Sequence, residues 1–72
     1  MEIKTKQWVI TEKEKQVLEL IACGFDDDEI AERLGISKAY IRTSIVSGML
    51  KKFGLTNRPA LVAWGFTNSI LN

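Results

Sequence analysis

The chain has 72 residues, 46% of them hydrophobic and 26% charged, with one proline and five glycines, which is the composition of a folded domain rather than a disordered tail. At this length only about 60% of the unfolded surface can be buried on folding, so a lone core is marginal and a second subunit would strengthen it. One cysteine and no histidine exclude an internal disulfide, a zinc ligand set and every Ser-His or Cys-His nucleophile, so neither an enzyme nor a cofactor is expected.

Four helical segments are expected, and no strand pattern. The first covers about 12–23: Thr11 and Glu14 form a capping box, Ile10 is a staple, and Val17, Leu18, Leu20 and Ile21 fall on one face before Gly24. The second covers about 26–34, with Glu29 three residues after Asp26, an apolar stripe of Ile30, Ala31 and Leu34, and a stop at Gly35. Ser37 caps the third, about 37–53, whose apolar positions are Ile41, Ile45, Met49 and Phe53, with Gly54 at its end. The fourth, about 57–71, starts near Asn57 and tolerates Pro59 in its first turn. Residues 1–9 read as an N-terminal extension to a domain over 10–72, with Trp8 packing over helix one or helix four.

The charge is unevenly distributed. Residues 1–32 carry four lysines against nine acids, net −5, while residues 33–72 carry six bases and no acid, net +6. A basic half without acids is the footprint of a surface that meets phosphate, although a solvated face in a small domain can look similar. The acids at Asp26, Asp27, Asp28 and Glu29 lack the alternation, central glycine and distant glutamate of a calcium loop, so no metal is expected. Residues 59–72 carry no charge, yet this stretch is too short and too polar to span a bilayer, and residues 1–7 do not read as a secretory signal; a cytoplasmic protein is expected.

Two helices joined at Gly35 and Ile36 match the helix-turn-helix unit that presents its second helix to the major groove of DNA, a spacing that small protein-binding domains can share. The run Ile10-Thr11-Glu12-Lys13-Glu14-Lys15-Gln16-Val17-Leu18-Glu19-Leu20-Ile21, then Gly24, then Glu29-Ile30-Ala31-Glu32-Arg33-Leu34-Gly35-Ile36-Ser37, resembles the DNA-binding domain of LuxR-type response regulators. Lys51-Lys52-Phe53-Gly54-Leu55, Asn57-Arg58 and Leu61-Val62 resemble its closing segment. The resemblance covers about residues 10–64. It implies an all-α, four-helix domain of the LuxR/GerE type, in which helices two and three read DNA and helix four often pairs two subunits. In size the chain is similar to stand-alone GerE-type members, which lack a sensing domain, so control by abundance or by a protein partner is expected, in a bacterium or a phage.

Two departures from the family pattern stand out. Where the family usually offers a hydroxyl, an amide and often a lysine to the DNA backbone, this chain has Asp26, Asp27 and Asp28. Asp26 is good capping chemistry; Asp27 and Asp28 either sit solvated and weaken binding or mark a surface that no longer approaches DNA in the family's way. The third helix also lacks the family's His and holds one residue more between Ser37 and Gly54. One extra residue turns a helix face by about 100°, unless it is absorbed locally, and Gly48 is a candidate for that place or for a close contact.

Matched forward from Ser37, the expected DNA-facing set is Ser37, Lys38, Tyr40, Arg42, Thr43 and Ser44, with Ile41 and Ile45 inward; matched backward from Gly54, Val46, Ser47 and Met49 take the family's later positions. Arg42 is the candidate for a base edge, because a guanidinium meets both acceptors of guanine. Lys38 and Arg58, each near a helix start, are candidates for phosphate. Tyr40 either packs against the DNA backbone or covers helix two, and Lys51 and Lys52 either reach phosphate or answer the helix dipole. From Pro59 to Leu71 the fourth helix carries no charge, and Leu61, Val62, Trp64, Phe66, Ile70 and Leu71 spread too widely for one small core; Leu61, Trp64, Phe66, Ile70 and Leu71 are the candidate dimer interface. The expected function is a regulator that binds duplex DNA as a homodimer. The alternative is a protein-binding module on the same fold that pairs with another transcription regulator.

Overall fold

The computed structural model describes residues 10–71, which form four helices with no strand. Trp8, the rest of the N-terminal extension and Asn72 lie outside the described residues.

Helix α1 is Glu12–Ala22. Thr11 accepts from the Glu14 amide at 3.1 Å while the Glu14 carboxylate accepts from the Thr11 amide at 2.9 Å, so both halves of the capping box are made. Helix α2 is Asp27–Leu34 and starts on an equivalent box, in which Asp26 and Glu29 exchange bonds of 2.9 Å. It stops where Gly35 turns left-handed at φ +68°, a conformation that costs a residue with a Cβ, and this turn aims the next helix across α2.

Helix α3 runs through residues 38–53 in three parts. Lys38–Tyr40 is a single α turn capped by Ser37, Ile41–Val46 is a π turn, and Ser47–Phe53 is regular α-helix. In the π turn the Ser47 amide reaches the Arg42 carbonyl, five residues back. A π turn takes one residue more than an α turn, so this is where the helix has room for an added residue. In a regular helix Val46, five positions after Ile41, would point about 140° away from it; in the widened turn Ile41, Ile45, Val46 and Met49 are all buried together. Gly48 is not the place of accommodation, nor of a close contact, since a Cβ there would meet nothing within 4 Å. Deleting Ser44 would bring Ile45, Val46, Met49 and Phe53 to three, four, seven and eleven positions after Ile41, the stripe of an uninterrupted α-helix. That deletion is expected to shift Tm by no more than about 4–8 °C, equivalent to 1 kcal/mol in a domain of this size, whereas deleting Leu50 from the regular turns is expected to cost several times more in the same thermal melt.

Helix α4 is Arg58–Thr67, capped by Asn57, which accepts from the Ala60 amide at 2.8 Å, with Pro59 in the first turn. It ends four residues before the expected Leu71. The chain reverses at Ser69, φ +61°, and the amides of Ile70 and Leu71 both donate to the Gly65 carbonyl, at 2.8 and 3.0 Å. Leu71 therefore folds back into the core instead of extending the helix.

The core is one cluster: Val17 and Leu18 from α1, Ile30 from α2, Ile41, Ile45, Val46 and Met49 from α3, and Leu61 and Leu71 from the last segment. Helix α1 packs on the π turn and on α4, and α2 packs across the start of α3. Gly65 permits the α1–α4 approach, because a Cβ there would lie 2.7 Å from Leu71 Cδ1 and 3.1 Å from Leu18 Cδ2. No helix among the described residues is long and apolar enough to cross a membrane.

Candidate nucleic-acid interface

Burying Ile41 and Ile45 against α1 and α2 fixes what the opposite side of α3 presents. Ser37, Lys38, Tyr40, Arg42, Thr43 and Ser44 are all exposed, on the turns of the first half of the helix that flank and face away from its buried side. Tyr40 is 50% exposed, so its ring does not cover α2 completely. The Ser37 hydroxyl accepts from the Tyr40 amide at 3.0 Å, and the Thr43 hydroxyl donates to the Ala39 carbonyl at 2.7 Å, which commits both groups to the helix. From the backward match, Val46 and Met49 are interior and have no surface to offer, while Ser47 is half-buried.

The charges do not remain apart as their distribution along the chain suggests. Folding lays the acidic start of α2 against the basic residues of α3 and α4. Asp27 takes a two-bond fork from Arg58, Nη1 to Oδ1 at 2.7 Å and Nη2 to Oδ2 at 3.0 Å, and a third bond from Arg42 Nε to Oδ2 at 3.0 Å. Lys38 Nζ lies 3.0 Å from Asp28, Lys52 Nζ lies 2.8 Å from Glu14, and the Arg33 guanidinium sits 4.1 Å over the Phe25 ring. Lys51 is exposed and makes no ion pair among the described residues. Of the expected phosphate contacts, Lys38 and Arg58 are thus each engaged by a carboxylate of α2. That engagement was missed because Asp27 and Arg58 stand 31 positions apart; the available signal was the pair of acids, Asp27 and Asp28, at positions where the family usually carries polar or basic residues.

The pairs alter how the carboxyls titrate. The hydrogen bonds from Arg58 hold the Asp27 carboxyl below its ordinary range against the opposing effect of burial, and Arg42 adds to them. At Glu14 burial pushes upward, but the hydrogen bonds from Lys52 and the Thr11 backbone and the Lys52 charge outweigh it, and the group is lowered. A carboxyl lowered in the folded state contributes stability that is present above its unfolded value, 3.8 for Asp27 and 4.5 for Glu14, and lost as pH falls through the folded value. Melts are therefore expected to show stability unchanged by these two groups above about pH 5 and falling below it, with Asp27→Asn removing part of the fall; an equal fall in that variant would reject the Asp27 contribution.

A helix-turn-helix with an exposed second helix, closed by a fourth helix that starts on an arginine, is the architecture of a known group. A family model for bacterial regulatory proteins of the luxR family, GerE, matches residues 9–64. The chain belongs to the luxR family. No curated protein matches it. The luxR family is one of DNA-binding regulators, and the α2–α3 unit is the chain's helix-turn-helix. Among the described residues no cluster of three or more acidic or cysteine side chains is arranged to hold a metal ion.

The candidate dimer residues separate into two groups. Leu61 is fully buried in the chain's own core, and Leu71 is buried there too but for 8% of its surface. Trp64 is half-buried and stacks on Phe53, with ring centroids 3.9 Å apart. Phe66 is 51% exposed, and Ile70 is half-buried beside it. Phe66 lines a shallow cleft of about 330 Å³ with Glu19, Ala22, Cys23 and Leu71, between the ends of α1 and α4.

Proposed function

We propose that this luxR-family chain is a transcription regulator that acts in the cytoplasm of a bacterium, or of a bacterium carrying a phage, by laying the first half of α3 into the major groove of duplex DNA. The observation that carries the reading is the exposure of Ser37, Lys38, Tyr40, Arg42, Thr43 and Ser44 on the helix that follows the Gly35 turn. Arg42 faces a base edge, Lys38 and Arg58 flank it toward phosphate, and Lys51 adds a cation about two and a half turns beyond Arg42. Guanine N7 lies in the major groove, so methylating it in a bound fragment tests the placement directly. Methylation at the bound site abolishes binding under this reading, and undiminished binding to every methylated fragment would place the protein elsewhere on the duplex.

Dimerisation is part of the proposal and rests on Phe66, at the end of α4, and Ile70, just beyond it, both in the charge-free stretch 59–72. Trp64 contributes from its stack on Phe53, so Phe66 is the cleaner residue to change. Phe66→Glu is expected to leave the helical content intact and to halve the mass seen by light scattering; an unaltered mass would reject this patch as the interface.

One observation favours a second reading, a module that pairs with another transcription regulator instead of DNA. Carboxylates of α2 pair with Lys38, Arg42 and Arg58, which reduces the charge available to phosphate. Absence of binding to any duplex at low salt by the folded protein supports this second reading over the first.

A further inference from the structure

The three-sided contact at Asp27 has more structure than neutralisation requires. The Asp27 side chain is 11% exposed, and Arg58 grips it from the start of α4 through both carboxylate oxygens. Such a fork fixes a carboxylate in orientation as well as in place. The immobilised Oδ2 then accepts from Arg42, and it does so from Nε alone. The Arg42 side chain is 60% exposed, and among the described residues its terminal nitrogens have no other partner. The arginine is therefore anchored at its elbow on a part-buried group and left open at its tip, where it carries the pair of donors that matches O6 and N7 of guanine.

We propose that Asp27 is a specificity-determining positioning residue, whose carboxylate, clamped by Arg58, holds Arg42 by Nε so that its free end is presented to one guanine. This rests on the duplex-DNA reading above and goes beyond it, because it assigns a purpose to the acid that stands where phosphate repulsion alone would disfavour it. An unrestrained arginine loses rotamer freedom when it docks, and it samples poses that meet phosphate or other bases equally well. Anchoring Nε removes much of that freedom before DNA arrives. The negative charge opposes general backbone binding at the same time, so Asp27 lowers affinity for all sequences and sharpens preference for one. Asp28 has only the first of these effects: it pairs with Lys38, and no contact joins it to Arg42.

That difference gives the test. The full chain, Asp27→Asn, Asp28→Asn and Arg42→Lys are each equilibrated with a random-sequence duplex pool at low salt, and retained fragments are sequenced, with thermal melts confirming the fold. The unaltered protein is expected to enrich one guanine on the order of tenfold, as a single bidentate contact does. Both aspartate variants lose one negative charge and retain more total DNA, but only Asp27→Asn loses the guanine preference several-fold. Arg42→Lys, altered at an exposed position compatible with folding, keeps the charge, loses the preference, and serves if Asp27→Asn does not fold. Equal guanine enrichment by Asp27→Asn, or by Arg42→Lys, overturns the inference and leaves the DNA reading standing. Selective binding by Asp27→Asn alone also overturns it, because the carboxylate would then be blocking Arg42. If no protein of the set retains duplex, the DNA reading fails and this inference with it.

Discussion

Leu18→Ala is expected to lower the unfolding free energy by about 2–5 kcal/mol, the range for truncating a fully buried leucine where the surroundings collapse only partly. Leu18 has no exposed surface and sits at the one point where α1, α4 and the returning C-terminal segment meet. Its Cδ2 lies 3.1 Å from where a Cβ on Gly65 would stand, and Leu71 covers the same glycine from the other side. Removing three carbons there unseats Leu71 as well as α1. A domain of this length holds only a few kcal/mol in reserve, so the variant is expected to be largely unfolded at 37 °C. Urea titration followed by circular dichroism measures this; a midpoint within about 0.3 M of the parent, which is under 1 kcal/mol at ordinary m-values, would contradict the packing described.

Arg42→Ala is expected to weaken binding to the preferred duplex by about 1–3 kcal/mol, roughly 5- to 150-fold, and to weaken binding to unrelated duplex less, through the lost charge alone. Stability should change little, because the side chain is exposed and Asp27 keeps its fork from Arg58. An exposed ion pair of this kind contributes on the order of 0–1 kcal/mol. The two effects thus part company: the protein stays folded and loses selectivity. Lys51→Ala offers the contrast, with a uniform loss across sequences and a smaller salt slope. Competition binding between the selected fragment and bulk duplex separates these outcomes, and equal losses on both duplexes for Arg42→Ala would remove Arg42 from the base edge.

What could be read from the chain and what could not divides by range. Thr11 with Glu14 and Asp26 with Glu29 are three residues apart, so their capping boxes are fixed by local geometry and appear as expected. Gly35 and Ser37 likewise define the turn and the start of α3. Val46 was hidden for a different reason: five positions from Ile41 is off-stripe at 100° per residue, and only the wider π turn buries it. Leu71 was assigned to a helix that stops at Thr67, because the reversal at Ser69 uses a left-handed serine where a glycine would have marked the turn. The exposed side of α3 was legible from Ile41 and Ile45, whose burial fixes the opposite face. Its electrostatics were not, since dividing the charge by halves of the chain says nothing about which halves meet. Asp27 reaches Arg42 over 15 positions and Arg58 over 31, and those pairs turn an apparent clash with phosphate into an anchor for an arginine.

The central claim is that α3 meets duplex DNA with cations still able to neutralise phosphate. The most direct measurement is fluorescence anisotropy of the purified chain on labelled genomic duplex fragments, titrated from about 50 to 200 mM salt, the interval over which phosphate contacts change affinity most visibly. Log affinity is expected to fall linearly with log salt, with a slope near −0.9 for each phosphate neutralised. A folded protein that binds no fragment at the lowest salt, or whose binding ignores salt, would contradict it.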